Sequence, residues 1–391
     1  MKIAYFVHNL GDPAVSKRVA MLRAGGAEVT LLGFYRGDAA PAPDPDVRTV
    51  SLGRTYDARF AQRIGKVAQN LTRLRRLKPA LADADVIVAR NLEMLALASA
   101  ARRWVAPTAT LIYECLDVHR LMLADGRVGS LMRSLERRLM GGVALLVVSS
   151  PAFIREYFKP RQDLGEKLQT PWRLVENKVY GGADAEFRPR RPAAGPPWKI
   201  GWFGAIRCAR SLDILTDLAR RRPDLVDITV RGRPSYTEFE DFDAQTSGTP
   251  ALRFGGSYRP EALPALYGEM HFTWAIDYFE AGANSSWLLP NRIYEGGLHG
   301  CVPVAVAGVE TSDWLVRHGL GVILEAPTDI ETMLEGMTDA RYEALSARAR
   351  SAPASLFRAD VEDCRGLVRA LAEAGRPTAR GGLAVHVEAA G

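Results

Sequence analysis

Two series of short apolar runs, each run separated from the next by a helix-length stretch, set the tightest limit on what this 391-residue chain can fold into. KIAYFVH, EVTLLGF, DVIVA, TLIYE and ALLVVSS follow one another between Met1 and Ser150. After a Pro- and Arg-rich segment, Phe187 to Trp198, the alternation restarts with KIGWFG, DITVRG, LRFGG, FTWAI, VPVAV and GVIL. Strands that alternate with helices in this way predict an α/β chain with parallel sheets. The expected organisation is two Rossmann-like parallel-sheet domains facing a cleft, over residues 1–190 and 198–355, each large enough for its own core. A C-terminal helix within 356–375, ADVEDCRGLVRALAEAG, is expected to pack back toward the first domain, and the Gly- and Ala-rich tail 376–391 to be disordered.

In the second half, PNRIYEGGLHGCVPVAV, Pro290 to Val306, puts one acid on a short glycine-rich helix that runs into a buried strand. Pro290 suits the helix start and Gly300 its end. Glu295 falls mid-helix beside Gly296 and Gly297, each of which costs roughly 1 kcal/mol against alanine there. That cost calls for a close approach, by a bound nucleotide or by tightly packed neighbouring elements. Upstream, KIGWFGAIRCARSLDIL, Lys199 to Leu215, predicts a strand, a glycine turn at Gly204 and a helix with Ser211 at its N-cap. Such a turn aims backbone N–H groups at an anion, and Arg207 and Arg210 add charge suited to bidentate phosphate contacts. The alternative is two solvated loop arginines. In the first half, TLIYECLDVHRL, Thr110 to Leu121, sets polar residues at the C-terminal end of a strand, where open parallel sheets hold ligands.

Together these segments resemble the GT-B glycosyltransferases of the family 4 type, over roughly Met1 to Ala374 and best in the C-terminal half. The resemblance implies that Glu295 holds the ribose of a sugar nucleotide and that Arg210 binds the donor diphosphate. Arg207 would replace the family's usual arginine, whose position is Ala205 here, and Gly204, Asn291 and Arg292 would complete the donor site. The family's common second acid, seven residues before Glu295, is Leu288 in this chain, so a two-carboxylate mechanism does not carry over. LDVH is similar to the family's strand-end Asp-x-His, which would set Asp117 toward the acceptor and His119 against the donor sugar near the reacting carbon. VHNLGDPAVSKRV, Asn91 and Asn177 are weaker matches.

YECLDVHRLM and PNRIYE look most like bacterial exopolysaccharide glucosyltransferases, including the succinoglycan type. The implied reaction moves a hexose, glucose foremost, from a nucleotide-diphosphate sugar to a growing saccharide on a polyprenyl diphosphate lipid, with retention of configuration. Arg207, Arg210, Arg292 and the helix ends would meet the charge on the departing diphosphate, so no metal and no cofactor beyond the donor substrate is expected. His8, after the first strand, could instead pair with Asp117 as the base of an inverting enzyme. A sugar-nucleotide epimerase on the same fold and an inactive subunit that scaffolds polysaccharide assembly are the rival readings. Neither half opens with GxGxxG after its first strand, which disfavours a dehydrogenase.

The net charge of +6 is uneven. Between Arg54 and Lys78 eight basic residues face one acid, Asp57, a local surplus larger than that of the whole chain. Phe60, Ile64, Val67, Leu71 and Leu74 recur there at helical spacing. This predicts a basic amphipathic helix, either lying on an anionic membrane or packing its stripe on the sheet with its charges solvated. No nucleic-acid-binding motif accompanies the charge, so a nucleic-acid partner is not expected. With 47% apolar and 25% charged residues, no run of some 18 apolar residues and no leader-like start, a cytoplasmic protein is expected, peripheral at the inner membrane face if the basic helix docks there. Four well-separated cysteines fit reduced thiols.

Overall fold

A computed structural model of the chain describes residues 1–39, 44–56, 60–181 and 192–375. It divides into two compact units, Met1–Glu176 together with the chain from Asp360, and Asn177–Ala359. The division falls ahead of the Pro- and Arg-rich segment expected to separate the domains. Part of that segment and the tail from Arg376 lie outside the described residues.

The first unit is built on β1 (Lys2–Val7), β2 (Glu28–Tyr35), β3 (Arg48–Arg54), β4 (Val86–Arg90), β5 (Thr110–Cys115), β6 (Leu145–Val148) and β7 (Trp172–Leu174). All pair in parallel, in the order β3-β2-β1-β4-β5-β6-β7. The apolar runs become the central strands because both faces are covered, and β4 is buried along its whole length. On one face α1 (Pro13–Ala24), started by Asp12 whose Oδ1 accepts from the Ala14 N–H, buries Val15, Val19 and Leu22 with Ile3, Tyr5 and Val7. The C-terminal helix Val361–Glu373 adds Leu367 and Leu371 to the same cluster.

The basic stretch departs from expectation. Helix α2 (Phe60–Leu71) ends before Leu74, which falls in a separate 3-10 turn, Leu74–Leu77. Val67 and Leu74 are buried, but Ile64 and Leu71 face solvent, so the predicted stripe is only partly covered. Arg63 pairs with Glu93 at 3.8 Å. The same unit carries helices α3 (Leu92–Trp104) and α4 (Arg127–Met140).

A buried ionic knot fixes the C-terminal edge of this sheet. Glu114 on β5 accepts from Arg18 Nε of α1 at 2.7 Å, from Arg90 Nε of β4 at 2.8 Å, and from the Tyr5 hydroxyl of β1. Burial pushes the Glu114 carboxyl up, but Arg90 and Arg18 pull it further down, to about 2. Breaking one partner would strand a buried charge, so the strand ends are held in one arrangement.

The second unit repeats the plan with β8 (Trp198–Ile206), β9 (Val226–Pro234), β10 (Leu252–Phe254), β11 (Phe272–Trp274), β12 (Val302–Val306) and β13 (Val322–Leu324). They form a parallel sheet in the order β10-β9-β8-β11-β12-β13. Trp198, Trp202 and Trp274 fill its core with Leu212 and Leu215 of α5 (Ala209–Arg221). Helix α6 (Asn291–Leu298), with Pro290 at its N-cap, leads toward β12. The strand order reverses between β1 and β4 in one unit and between β8 and β11 in the other. Open parallel sheets hold ligands beyond the strand ends at such reversals. No helix among the described residues is long and apolar enough to cross a membrane.

Candidate active site

In the second unit, the connection from β8 to α5 is tighter than the sequence predicts. Gly204 lies inside the strand rather than in the turn, opposite Gly232 of β9. Both take left-handed φ, 117° and 143°. A Cβ on Gly232 would lie 1.7 Å from the Gly204 carbonyl oxygen, so glycine is required where these backbones meet. The turn itself is Arg207–Cys208. The N-cap is Cys208 and not Ser211: the Cys208 Sγ accepts from the Ser211 N–H at 3.4 Å and from the Tyr278 N–H at 3.1 Å. Ser211 sits buried in the first turn and donates to the Ile276 carbonyl at 3.2 Å, which ties α5 to the loop after β11.

That loop supplies the centre of the site. Asp277, with its side chain 6% exposed, lies 3.5 Å from Arg207 Nη2 and 4.0 Å from Arg292 Nη2. Its Oδ1 accepts from the Phe279 N–H at 2.8 Å, which fixes the carboxylate. Arg292, on α6, is buried and donates to the Trp274 carbonyl at the end of β11, 2.9 Å away. The aromatic residues following Asp277 form platforms: Arg207 lies 4.8 Å over the Phe279 ring and Arg210 4.3 Å over Tyr278. Two guanidinium groups thus converge on one carboxylate at the ends of β8 and β11, and a third, Arg210, stacks on the neighbouring Tyr278. The surplus positive charge suits a polyanion such as a diphosphate.

Glu295 stands one turn along α6 from Arg292, half-buried, and accepts from the Tyr267 hydroxyl at 3.2 Å. Burial raises the Tyr267 and Tyr258 hydroxyl pKa values, Glu295 raises them further, and Arg292 opposes. Both phenols therefore stay protonated and able to donate. Asn291, the first residue of α6, is exposed. The two glycines after Glu295 serve packing rather than a nucleotide. A Cβ on Gly296 would lie 2.8 Å from Thr273 Cγ2, and one on Gly297 would lie 2.3 Å from the Phe357 ring. Their helix cost is therefore explained by the approach of α6 to β11 and to the short helix Ala354–Phe357.

In the first unit, the chain leaves β5 through Asp117, which is exposed, and His119, which is half-buried. His119 caps the helical turn Arg120–Leu123, its Nδ1 accepting from the Leu121 N–H at 3.3 Å. A neutral ring that accepts at Nδ1 carries its proton on Nε2. The Asp12 carboxylate lies 3.7 Å from the His8 Nε2. Burial lowers the His8 pKa while Asp12 opposes, which favours the neutral ring. Asn91 takes a left-handed φ of 69° at the start of α3.

Sequence reasoning places Arg207, Arg210, Arg292 and Glu295 in one site, and the structure gathers them on neighbouring elements of the second unit. It missed Asp277, Tyr278, Phe279, Tyr258 and Tyr267. The signal for the first three is AIDYFE, an acid and two aromatics at the end of a buried strand, where a parallel sheet meets its ligands.

A family model described as a glycosyl transferase 4-like domain matches residues 13–161. Over 381 residues, 95% of this chain and 93% of the relative, the sequence is 46% identical to the succinoglycan biosynthesis protein ExoL of Rhizobium meliloti (strain 1021). Among solved structures, the chain is similar to HepE of Anabaena in complex with UDP and glucose, with a TM-score of 0.63 and 15% identity over 95% of this chain and 98% of that one. It is also similar to sucrose-phosphate synthase of Thermosynechococcus elongatus, with a TM-score of 0.65 and 14% identity over 95% of this chain and 94% of that one. At these identities the likeness to solved structures speaks to the fold alone.

Proposed function

This chain belongs to the GT-B glycosyltransferases of the family 4 type, and from that premise we propose that it transfers a hexose, glucose foremost, from a nucleotide-diphosphate sugar to a growing lipid-linked glycan in exopolysaccharide synthesis. The observation that carries the reading is the convergence of Arg207 and Arg292 on Asp277, with Arg210 beside them, at the strand reversal of the second unit. The relative named for succinoglycan biosynthesis supports the pathway class. The complex of HepE with UDP-glucose makes that nucleotide sugar the first donor to test.

In this reading Arg207, Arg210 and Arg292 hold the diphosphate. As the glycosidic bond breaks, the leaving oxygen gains charge that these groups are already aimed at, and such preorganised charge stabilises the transition state without a metal. Glu295 accepts from the ribose hydroxyls, its geometry set by Tyr267. Gly204 and Asn291 border the donor. His119 donates from Nε2 to the transferring sugar, and Asp117 faces the acceptor hydroxyl. The departing phosphate takes the proton of the attacking hydroxyl on the same face, so configuration is retained. The enzyme works at the cytoplasmic face of the membrane, where a polyprenyl-diphosphate acceptor is presented.

The test offers the purified protein a panel of sugar nucleotides with a membrane lipid extract and identifies the product. The expected product is a lipid-borne saccharide longer by one hexose, with the donor's anomeric configuration. Epimerised donor in the absence of acceptor, or no turnover of any sugar nucleotide, would contradict the proposal.

A further inference from the structure

Helix α4 leaves open a face that soluble helices ordinarily cover. Val128, Leu131 and Leu135, spaced i, i+3 and i+7, are 58%, 71% and 45% exposed. The other residues exposed along the helix are Arg127, Ser130, Ser134 and Arg138, with no carboxylate among them. The helix's one acid, Glu136, points inward, where it accepts from the Tyr113 hydroxyl at 2.8 Å, from the Tyr157 hydroxyl at 2.6 Å and from Gln162. Arg133 is likewise turned back, donating to the Met122 and Ala124 carbonyls. The neighbouring helix α3 ends on Trp104, 71% exposed under the Arg103 guanidinium, and Arg102 of that helix donates to the Gly142 carbonyl just after α4.

An apolar row flanked along its helix by arginine and serine, with Asp125 just before the helix paired to Arg161 at 3.2 Å, matches a surface that is apolar beneath and anionic on top. Pairing with a second copy through this face would bring like charges together, which disfavours that occupant. We infer that the exposed face of α4 docks on an anionic lipid membrane, with Val128, Leu131 and Leu135 entering the acyl boundary and Arg127 and Arg138 meeting headgroup phosphates. Trp104 extends this surface as an interfacial anchor. The inference rests on the lipid-linked acceptor for its purpose, and it moves the membrane contact from the basic stretch Arg54–Lys78 to α4.

Flotation of the full chain with vesicles of phosphatidylcholine alone, or mixed with phosphatidylglycerol, tests it. Wild type should float with the mixed vesicles, less so at high salt, and weakly with phosphatidylcholine alone. Leu131→Gln with Leu135→Gln should lower partitioning on the order of tenfold or more, because two leucines no longer enter the boundary. Arg127→Gln with Arg138→Gln should weaken binding and reduce its salt dependence. Both variants should melt near wild type, since the replaced side chains are exposed. Unchanged flotation of the leucine variant, or no flotation of wild type, would overturn the inference. So would a dimer, seen by sedimentation, that the leucine changes dissociate without altering flotation. Flotation requires no sugar transfer. Leucine-dependent flotation of a protein that transfers no sugar would refute the proposed function alone, and transfer to lipid without such flotation would refute this docking face alone.

Discussion

At the scale of single residues, the proposed site consists of charges held in fixed geometry. In the proposed site Arg210 would contact the diphosphate and Glu295 the ribose, so their loss should read differently. Each removes a charge-assisted hydrogen bond of about 1.5–3 kcal/mol, or on the order of 10- to 100-fold. Glu295→Ala should mainly raise the donor KM. Arg210→Ala should also lower kcat, because the diphosphate gains charge in the transition state. Steady-state kinetics with varied donor separate the two, and unchanged constants in either variant remove that residue from the site. His119→Ala should lower turnover while binding of the free nucleotide diphosphate, read by calorimetry, stays near wild type. Two buried carboxylates in the first unit make opposite predictions about stability. Glu114 is pulled down to about 2 from its ordinary 4.5, so its stabilisation is present above pH 4.5 and is lost as pH falls toward 2. Burial pushes Glu136 up to about 7 against the hydrogen bonds of Tyr157, Tyr113 and Gln162, so its contribution is present below pH 4.5 and is lost as pH rises through 7. Each is worth on the order of 3 kcal/mol across its window. Denaturant unfolding should show Glu136→Gln flattening the fall between pH 4.5 and 7. A variant with the wild-type slope there would contradict the assignment.

At the scale of elements, close approach explains what propensity alone leaves unexplained. Gly297→Ala drives a Cβ into the Phe357 ring and should lower stability by about 1–3 kcal/mol, measured by thermal or urea unfolding. Gly232→Ala should do more harm, because the atom in its way is the Gly204 backbone carbonyl, which cannot swing aside as a ring can. A Gly232→Ala protein as stable as wild type would show that β8 and β9 can separate there at little cost. The same contacts mark where the sequence is readable. The central strands are legible because burial on both faces leaves continuous apolar runs. β3, RTVSLGR, and the three-residue β7 are not, because these two edge strands are mostly half-buried and carry no continuous apolar run. The arginines and Glu295 are legible as a motif. Their meeting point is not: Asp277 joins Arg207 to Arg292 across a long stretch of chain, and only the order of the sheet brings β8 beside β11. Ser211 is not the cap the sequence predicts, because the Cys208 sulfur takes that role and the serine faces inward.

At the scale of the whole molecule, two parallel sheets of related order each carry residues of the proposed site at their strand ends, and the arginines proposed to hold the anion belong to the second. The proposed reaction follows only if that charge holds a nucleotide diphosphate without a metal. Activity on a sugar nucleotide should then survive EDTA, whereas complete loss restored by Mg²⁺ would mean that the arginines do not suffice at the leaving group. The most direct measurement is a calorimetric titration of UDP and UMP, in EDTA, into wild type and into Arg207→Ala with Arg210→Ala. Wild type should bind UDP more tightly than UMP by on the order of tenfold, since the second phosphate gains charge-assisted contacts, and the variant should lose most of that difference. Equal affinity of wild type for the two nucleotides, or a UDP preference that persists in the variant, would contradict the assignment of this cluster as the diphosphate site.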